Sequence, residues 1–310
     1  MQNFYEAVDS NKRKSLIIVI GFALFIFVVV YVISQAMSYY FGYQAGGLGI
    51  FGVAMIASGL ISLGSYYYSD KIVLTLSGAR PADRKRDFEY YTVVENLCIA
   101  TGLPKPKLYV INDSAPNAFA TGRDPKHAAI CTTTGLLDKL NRTELEGVIG
   151  HELSHIRNYD TRLMAVVAVM VGVVALIGDW FLRMSFWGGR RRNDREEGQL
   201  GVIIIVVGFI FAILSPIIGQ LIQLAISRRR EFLADASSVE ITHQPNGLIS
   251  ALKKISSDNE PLEAANKATA HLYIVNPFKE KGHGAVGWFA NLFNTHPPIP
   301  DRIKALEKVA

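Results

Sequence analysis

The sequence predicts an α-helical membrane protein with four apolar spans and a mainly α, α+β domain of soluble composition. Three observations predict it. Half of the 310 residues are apolar, and they gather in runs rather than spreading through one large core. Basic clusters stand beside or between those runs, at Lys12-Arg13-Lys14, Arg84-Lys85-Arg86, Arg190-Arg191-Arg192 and Arg228-Arg229-Arg230. A polar stretch between the second and third runs ends in Gly150-His151-Glu152-Leu153-Ser154-His155, a metal-binding pattern set in a helical apolar face.

The formal charge of +5 is spread along the chain. Next to apolar runs, the basic clusters read as lipid-headgroup anchors and topology signals, which makes the bilayer a partner. No nucleic-acid motif is present, so nucleic acid is not an expected partner. The two cysteines, Cys98 and Cys131, belong to no C-x-x-C pair and read as buried thiols of a cytoplasmic segment.

Residues 1–68 form the first unit, an N-terminal hairpin of spans at about 16–37 and 48–68. The first run follows Lys12-Arg13-Lys14 and is too long for a cleavable leader, although Ser34-Gln35-Ala36 loosely imitates a cleavage site. The N-terminus is therefore expected inside. The second run is rich in small residues that allow close helix contact, and Tyr66-Tyr67-Tyr68 suits an interface. Residues 69–162 are the first part of the soluble domain. A helix is expected over Asp83–Ala100, ended by Leu103-Pro104, with strands over Lys107–Ile111, Asn117–Gly122 and Ala128–Thr133. Short strands beside a metal-bearing helix leave an edge that can take an extended peptide as an added strand.

Residues 163–226 form a second hairpin, with spans at about 163–182 and 200–226, and residues 227–310 complete the soluble domain. His155 lies about eight residues before the third run, roughly 12 Å of helix, so the site is expected close to the membrane surface. Lys253 to His283 is expected to include a mobile loop near the cleft.

The chemistry follows from residue type and spacing. His151 and His155, four apart on a helix, share a face and can share one metal ion, with Glu152 beside it. Two neutral imidazoles on Zn²⁺ leave room for a third ligand and a water whose proton the carboxylate can take, which is the arrangement of a zinc hydrolase. Asn141 or Thr143 can cap the helix, with Glu144 and Glu146 in its first turn. The third ligand is not the histidine of H-E-x-x-H-x-x-G-x-x-H, because positions 158 and 161 hold Asn158 and Thr161. Glu231, in Arg230-Glu231-Phe232-Leu233-Ala234-Asp235, is the best candidate, since a hairpin of the last two spans returns it beside the metal helix. Asp235 shares its helix face and could accept the free ring N–H of His151. The alternative makes Glu231 a surface acid pairing with Arg228 to Arg230.

Four motifs in order, Asn117 to Gly122, Val148 to His155, Glu231 to Asp235 and Thr295-His296-Pro297-Pro298, resemble the HtpX family of bacterial membrane zinc metalloproteases, relatives of the prenyl-protein proteases. The resemblance covers nearly the whole chain. It implies a zincin-like (gluzincin) metalloprotease domain holding one Zn²⁺ per chain, in a multi-pass protein of the bacterial inner membrane. Its active site and N-terminus would be cytoplasmic, and its substrates unfolded or misfolded membrane proteins. Removal of such proteins under stress, overlapping with other membrane quality-control proteases, would be the role. Carried onto this sequence, it implies zinc ligands at His151, His155 and Glu231, a general base at Glu152 and an orienting acid at Asp235. It further implies a substrate strand at Asn117, Ala118, Phe119, Ala120 and Thr121, and a pair, His296 and Arg302, able to stabilise a developing oxyanion.

The loop Gly188 to Gln199 departs from simple topology, because Arg190, Arg191, Arg192 and Arg195 would lie outside, against the positive-inside rule. Two rival classes are a scaffold that binds zinc structurally and a transporter using Asp179 and Pro216. The scarcity of other charges inside the runs argues against the transporter. His127, His243, His271 and His283 lack ligand spacing to one another.

Overall fold

The computed structural model describes residues 4–41, 48–170, 228–265, 269–275, 277 and 297–309. The expected spans beyond residue 170, with Asp179, the Gly188 to Gln199 loop and Pro216, lie outside the described residues, as does His296. Helices α1 (Phe4–Phe41) and α2 (Leu48–Tyr67) fall on the first two apolar runs. Among the residues with described side chains, no helix is long and apolar enough to cross a membrane; in α1 that continuous set ends at Val28.

Helix α3 (Ser69–Leu76) and the two-residue strand β1 (Arg80–Pro81) lead into the sheet. Helix α4 covers Phe88–Thr101 and starts later than the expected Asp83. The reason is local: Asp83 Oδ1 accepts from the backbone N–H groups of Lys85 and Arg86, both at 2.9 Å, and so folds the stretch before the helix into a turn. Gly102, in the left-handed region at φ 68°, ends α4 because only glycine takes that conformation without a steric cost.

Strands β2 (Lys107–Ile111), β3 (Ala118–Gly122) and β4 (Ala128–Thr133) join β1 in a sheet of order β1-β2-β4-β3. β4 is inserted between its two predecessors, parallel to β2 and antiparallel to β3, with Phe119 opposite Cys131. The β3–β4 turn is a short 3₁₀ segment, Pro125–His127, capped by Asp124. Strand alternation sends Leu108, Val110, Ala118, Ala120, Ala128 and Ile130 into one core, and Ile111, Phe119, Ala129 and Cys131 into another. Covered on both faces, these strands read as continuous apolar runs rather than as alternating ones.

Helices α5 (Thr134–Lys139) and α6 (Arg142–Arg157) follow, and α7 occupies 160–170 after a two-residue break. After the undescribed stretch come α8 (Arg228–Thr242), α9 (Pro245–Ser257) and, near the end, α10 (Ile299–Leu306). The core on the Val110 side joins α4, α6 and α9, whereas the Phe119 side is covered by Ile18, Phe22 and Ile26 of α1 and by Leu163 to Met170. Residues 253–257 are helical within α9, and most of the stretch from Lys253 to His283 expected to include a loop near the cleft lies beyond that helix.

Two glycines let α8 and α9 approach α6 closely. A Cβ on Gly150 would meet Ser238 Oγ at 2.8 Å, and one on Gly147 would meet the Leu248 backbone nitrogen at 2.7 Å. Backbone cannot rotate away, so Gly147→Ala is expected to destabilise the domain by about 1–3 kcal/mol of overpacking, which the ~1 kcal/mol gain in helix propensity offsets only in part. Thermal unfolding of the purified variant checks this; an unchanged or raised midpoint would refute the close packing.

Candidate active site

Helix α6 begins with a reciprocal capping box. Asn141 Oδ1 accepts from the Glu144 N–H at 3.0 Å, and Glu144 Oε2 accepts from the Asn141 N–H at 2.8 Å. Ser250 Oγ and Lys254 Nζ of α9 donate to the same Glu144 carboxylate at 2.6 and 2.7 Å. Burial works against its charge, but these donors hold its pKa below the ordinary carboxylate value. The helix is thus fixed at its start, and its next turns are buried along nearly every side.

His151, Glu152 and His155 of α6 are buried, as are Glu231 and Asp235 of α8. His151 Nε2 lies 3.1 Å from His155 Nε2. The Glu231 carboxylate reaches both, with Oε2 3.7 Å from His151 Nε2 and Oε1 3.5 Å from His155 Nε2. Among the described residues, these three form the one group of His, Cys, Asp or Glu side chains able to hold a metal ion.

The far side of each imidazole is engaged by a carboxylate. Asp235 Oδ1 lies 2.9 Å from His151 Nδ1, and Asp160 Oδ2 lies 3.0 Å from His155 Nδ1. Ionised carboxylates only accept, so each Nδ1 carries a proton and each neutral ring turns its Nε2 lone pair inward. Two lone pairs 3.1 Å apart repel unless a positive charge lies between them. For a tetrahedral ion with bonds of about 2.0–2.1 Å, donors stand roughly 3.3 Å apart, close to the 3.1, 3.5 and 3.7 Å found here. The residues present fit a zinc ion.

The remaining groups tune this centre. Arg302 of α10 is fully buried and forks onto Asp235, with Nε to Oδ2 at 2.8 Å and Nη2 to Oδ1 at 2.6 Å, while Nη1 donates to the Ile274 carbonyl at 3.3 Å. Burial disfavours the Asp235 charge, yet the Arg302 guanidinium and His151 keep its pKa low. Burial pushes the Glu152 carboxyl up to about 7, the Glu231 charge adding to the effect, while His155, Arg302 and the Ala120 N–H pull the other way. Burial lowers the affinity of His155 for a proton, but the Asp160 bond and the charges of Glu231, Asp160 and Glu152 outweigh it and raise its pKa to about 9. The pocket therefore demands a cation, and a bound metal ion meets the demand that a proton otherwise meets.

The model of peptidase family M48 matches residues 84–310, the whole stretch that carries these groups. The chain belongs to peptidase family M48. It is 48% identical over 304 residues to "Protease HtpX homolog" of Dictyoglomus thermophilum, covering 98% of this chain and 94% of that one. It is 45% identical over 310 residues to the protein of the same name from Caldanaerobacter subterraneus subsp. tengcongensis, covering 99% and 98%. Ste24p of S. mikatae, at 16% identity and a TM-score of 0.47 over 98% of this chain and 67% of that one, is too distant to argue from.

In this M48 metallopeptidase, β3 is an edge strand running beside α6. Asn117 O accepts from the Thr133 N–H, so Asn117, Phe119 and Thr121 pair with β4, and the backbone groups of Ala118 and Ala120 point to the outer edge. There Ala118 O accepts from the Ile274 N–H at 3.0 Å, and the Ala120 backbone favours the charged form of Glu152. Asn117 Nδ2 donates to the Val275 carbonyl at 3.0 Å. Phe119 packs edge-to-face on Tyr273 in the other core.

Sequence reasoning missed Asp160 as a partner of His155. It lies five residues on, outside the helical period, and reaches back only because the chain breaks at Asn158 and Tyr159, the latter at φ 59°. An acid at the head of an apolar run was the available signal.

Proposed function

We propose that this M48 metallopeptidase is an integral-membrane zinc endopeptidase of the bacterial inner membrane. It hydrolyses misfolded or damaged membrane proteins on the cytoplasmic side, under stress and alongside other quality-control proteases. In this reading residues 1–68 and 163–226 are transmembrane hairpins, and 69–162 and 227–310 fold together as the protease. One observation carries it: two inward-facing imidazole nitrogens and a buried glutamate, each imidazole backed by a carboxylate. A stabilising scaffold needs no general base beside such a centre.

His151, His155 and Glu231 would hold the zinc, which when bound supplies Lewis acidity toward water and the scissile carbonyl. Glu152 accepts the proton of the attacking water and passes it to the leaving amine, and no covalent acyl-enzyme forms. Burial raises the proton affinity of this carboxyl, and a cation beside it would lower it, so the two effects oppose each other at the group that must both take and return the proton. Asp235 holds the His151 ring, and Arg302, buried on Asp235, acts as a positioning residue rather than facing an oxyanion; His296 keeps its proposed role as oxyanion donor. Asn117, Ala118, Phe119, Ala120 and Thr121 would receive substrate as an added strand along the outer edge once it displaces the Ile274 N–H from Ala118 O, and backbone contacts of that kind tolerate diverse sequences.

A belt of cations over tyrosines supports the membrane placement. Arg162 stands 5.6 Å from the Tyr66 ring and 5.4 Å from Tyr159, Arg123 5.3 Å from Tyr67, and Lys12 4.7 Å from Tyr159. Such amphipathic groups gather at headgroup level.

The test is metal removal. Detergent-purified protein is expected to contain one zinc per chain and to cleave an unfolded model protein. A chelator should abolish cleavage and zinc restore it. Cleavage that persists in zinc-free protein would overturn the reading, and zinc binding without any cleavage would favour the scaffold.

A further inference from the structure

We propose that Asn11, on α1, is a positioning residue of the metal centre, holding Asp160 against His155 and bracing the arginine that precedes Glu231. The proposal rests on the reading of His155 and Glu231 as metal ligands.

Asn11 is buried, 147 and 149 positions away in sequence from its partners, and its amide is fully used. Nδ2 donates to the Asn158 carbonyl at 2.9 Å and to Asp160 Oδ1 at 2.7 Å. Oδ1 accepts from Arg230 Nη1 at 3.3 Å. Asp160 divides its carboxylate accordingly: Oδ1 faces Asn11 and, at 3.4 Å, Arg230, whereas Oδ2 faces His155 Nδ1 at 3.0 Å. One side chain of α1 thus touches the support of His155 on α6 and the residue adjoining Glu231 on α8. Those two helices are the ones that carry the metal donors.

The physical reason is the break between α6 and α7. Tyr159 takes a positive φ of 59°, a conformation that costs a non-glycine residue free energy and persists only where surroundings enforce it. Asn11 enforces it from one side through the Asn158 carbonyl. Lys12, the next residue of α1, lies over the Tyr159 ring at 4.7 Å. Without the break, Asp160 would continue the helix and point away from His155. A carboxylate that fixes the ring orientation of a histidine ligand typically changes metal affinity about 10–100-fold when removed. The N-terminal helix therefore completes the catalytic centre as well as anchoring it.

A double-mutant cycle tests this, read by zinc affinity in competition with a chromophoric chelator on the full-length protein. Asn11→Leu, which keeps the volume and removes the amide, is expected to weaken zinc binding about 10-fold, and Asp160→Asn about 10–100-fold. Because the first acts chiefly through the second, the loss in the double variant should fall well short of the sum of the two single losses. In turnover, kcat should fall with KM unchanged. Ser15→Ala, which removes a bond within the same turn of α1 to the Asn11 carbonyl, should keep wild-type zinc affinity, as should the exposed Asp9→Asn.

Wild-type affinity in Asn11→Leu, or a loss that adds fully to that of Asp160→Asn, would overturn the proposal, even if the melting temperature of the zinc-free protein falls. If the leucine variant does not fold, Asn11→Ala removes the amide without adding bulk and carries the same measurement. Absence of zinc from the wild type would instead refute the ligand assignment on which the proposal rests.

Discussion

Glu152→Gln is expected to reduce peptide cleavage by at least about 10²–10⁴-fold, the range for a positioned general base, while zinc content stays at the wild-type level. The substitution keeps the side-chain volume and a carboxamide oxygen in place of a carboxylate oxygen, and it removes only the ability to take and return a proton. Glu152 is absent from the donor group of His151, His155 and Glu231, so its loss should leave the metal bound. The zinc-free variant should also be no less stable than the zinc-free wild type. Burial and the Glu231 charge both disfavour an ionised Glu152, and glutamine carries no charge to bury. Metal analysis, cleavage and thermal unfolding on one preparation separate the possibilities. Retention of a tenth of the activity would assign the proton transfer to another group, and loss of zinc would make Glu152 part of the binding site.

The sequence was most informative where function is written at short range. His151, Glu152 and His155 are legible because one helical turn brings them together, and the three strands were legible because burial on both faces made them apolar runs. Glu231 was within reach by a different route, since the order of apolar runs implies a hairpin that returns α8 to α6. Beyond that, legibility stops at contacts between distant segments. Nothing in the spacing of Asn11, Asp160 and Arg230 announces that one amide joins them. Nor could spacing reveal that Arg302 forks onto Asp235 from a helix near the chain's end. The late start of α4 is a miss of another kind: Asp83 offered its own backbone an alternative to the helix, and side-chain competition of that sort is invisible to apolar periodicity.

Glu231→Gln is expected to abolish both stoichiometric zinc and cleavage, and the reason lies in how charge is balanced around the donors. Glu231 is the sole anion facing both Nε2 atoms in the described donor group, at 3.7 and 3.5 Å. Neutralising it leaves two imidazoles to hold the ion, with Arg302 Nη1, 3.8 Å from Glu231 Oε2, no longer balanced by that carboxylate. A surface acid paired with Arg228 to Arg230 would predict almost no effect, but Glu231 is only 1% exposed, which removes that alternative. Thermal unfolding gives a second readout. A ligand that binds only the folded state stabilises it by about 2.7 kcal/mol at a hundredfold excess over Kd, so zinc should raise the wild-type midpoint by several degrees and leave that of the variant unmoved. Without metal the two midpoints should differ little, because the like charge removed beside Glu152 is offset by the attraction lost to His155 and Arg302. A variant that binds zinc normally, with a wild-type rise in midpoint, would transfer the third ligand to another residue and leave Glu231 a structural acid.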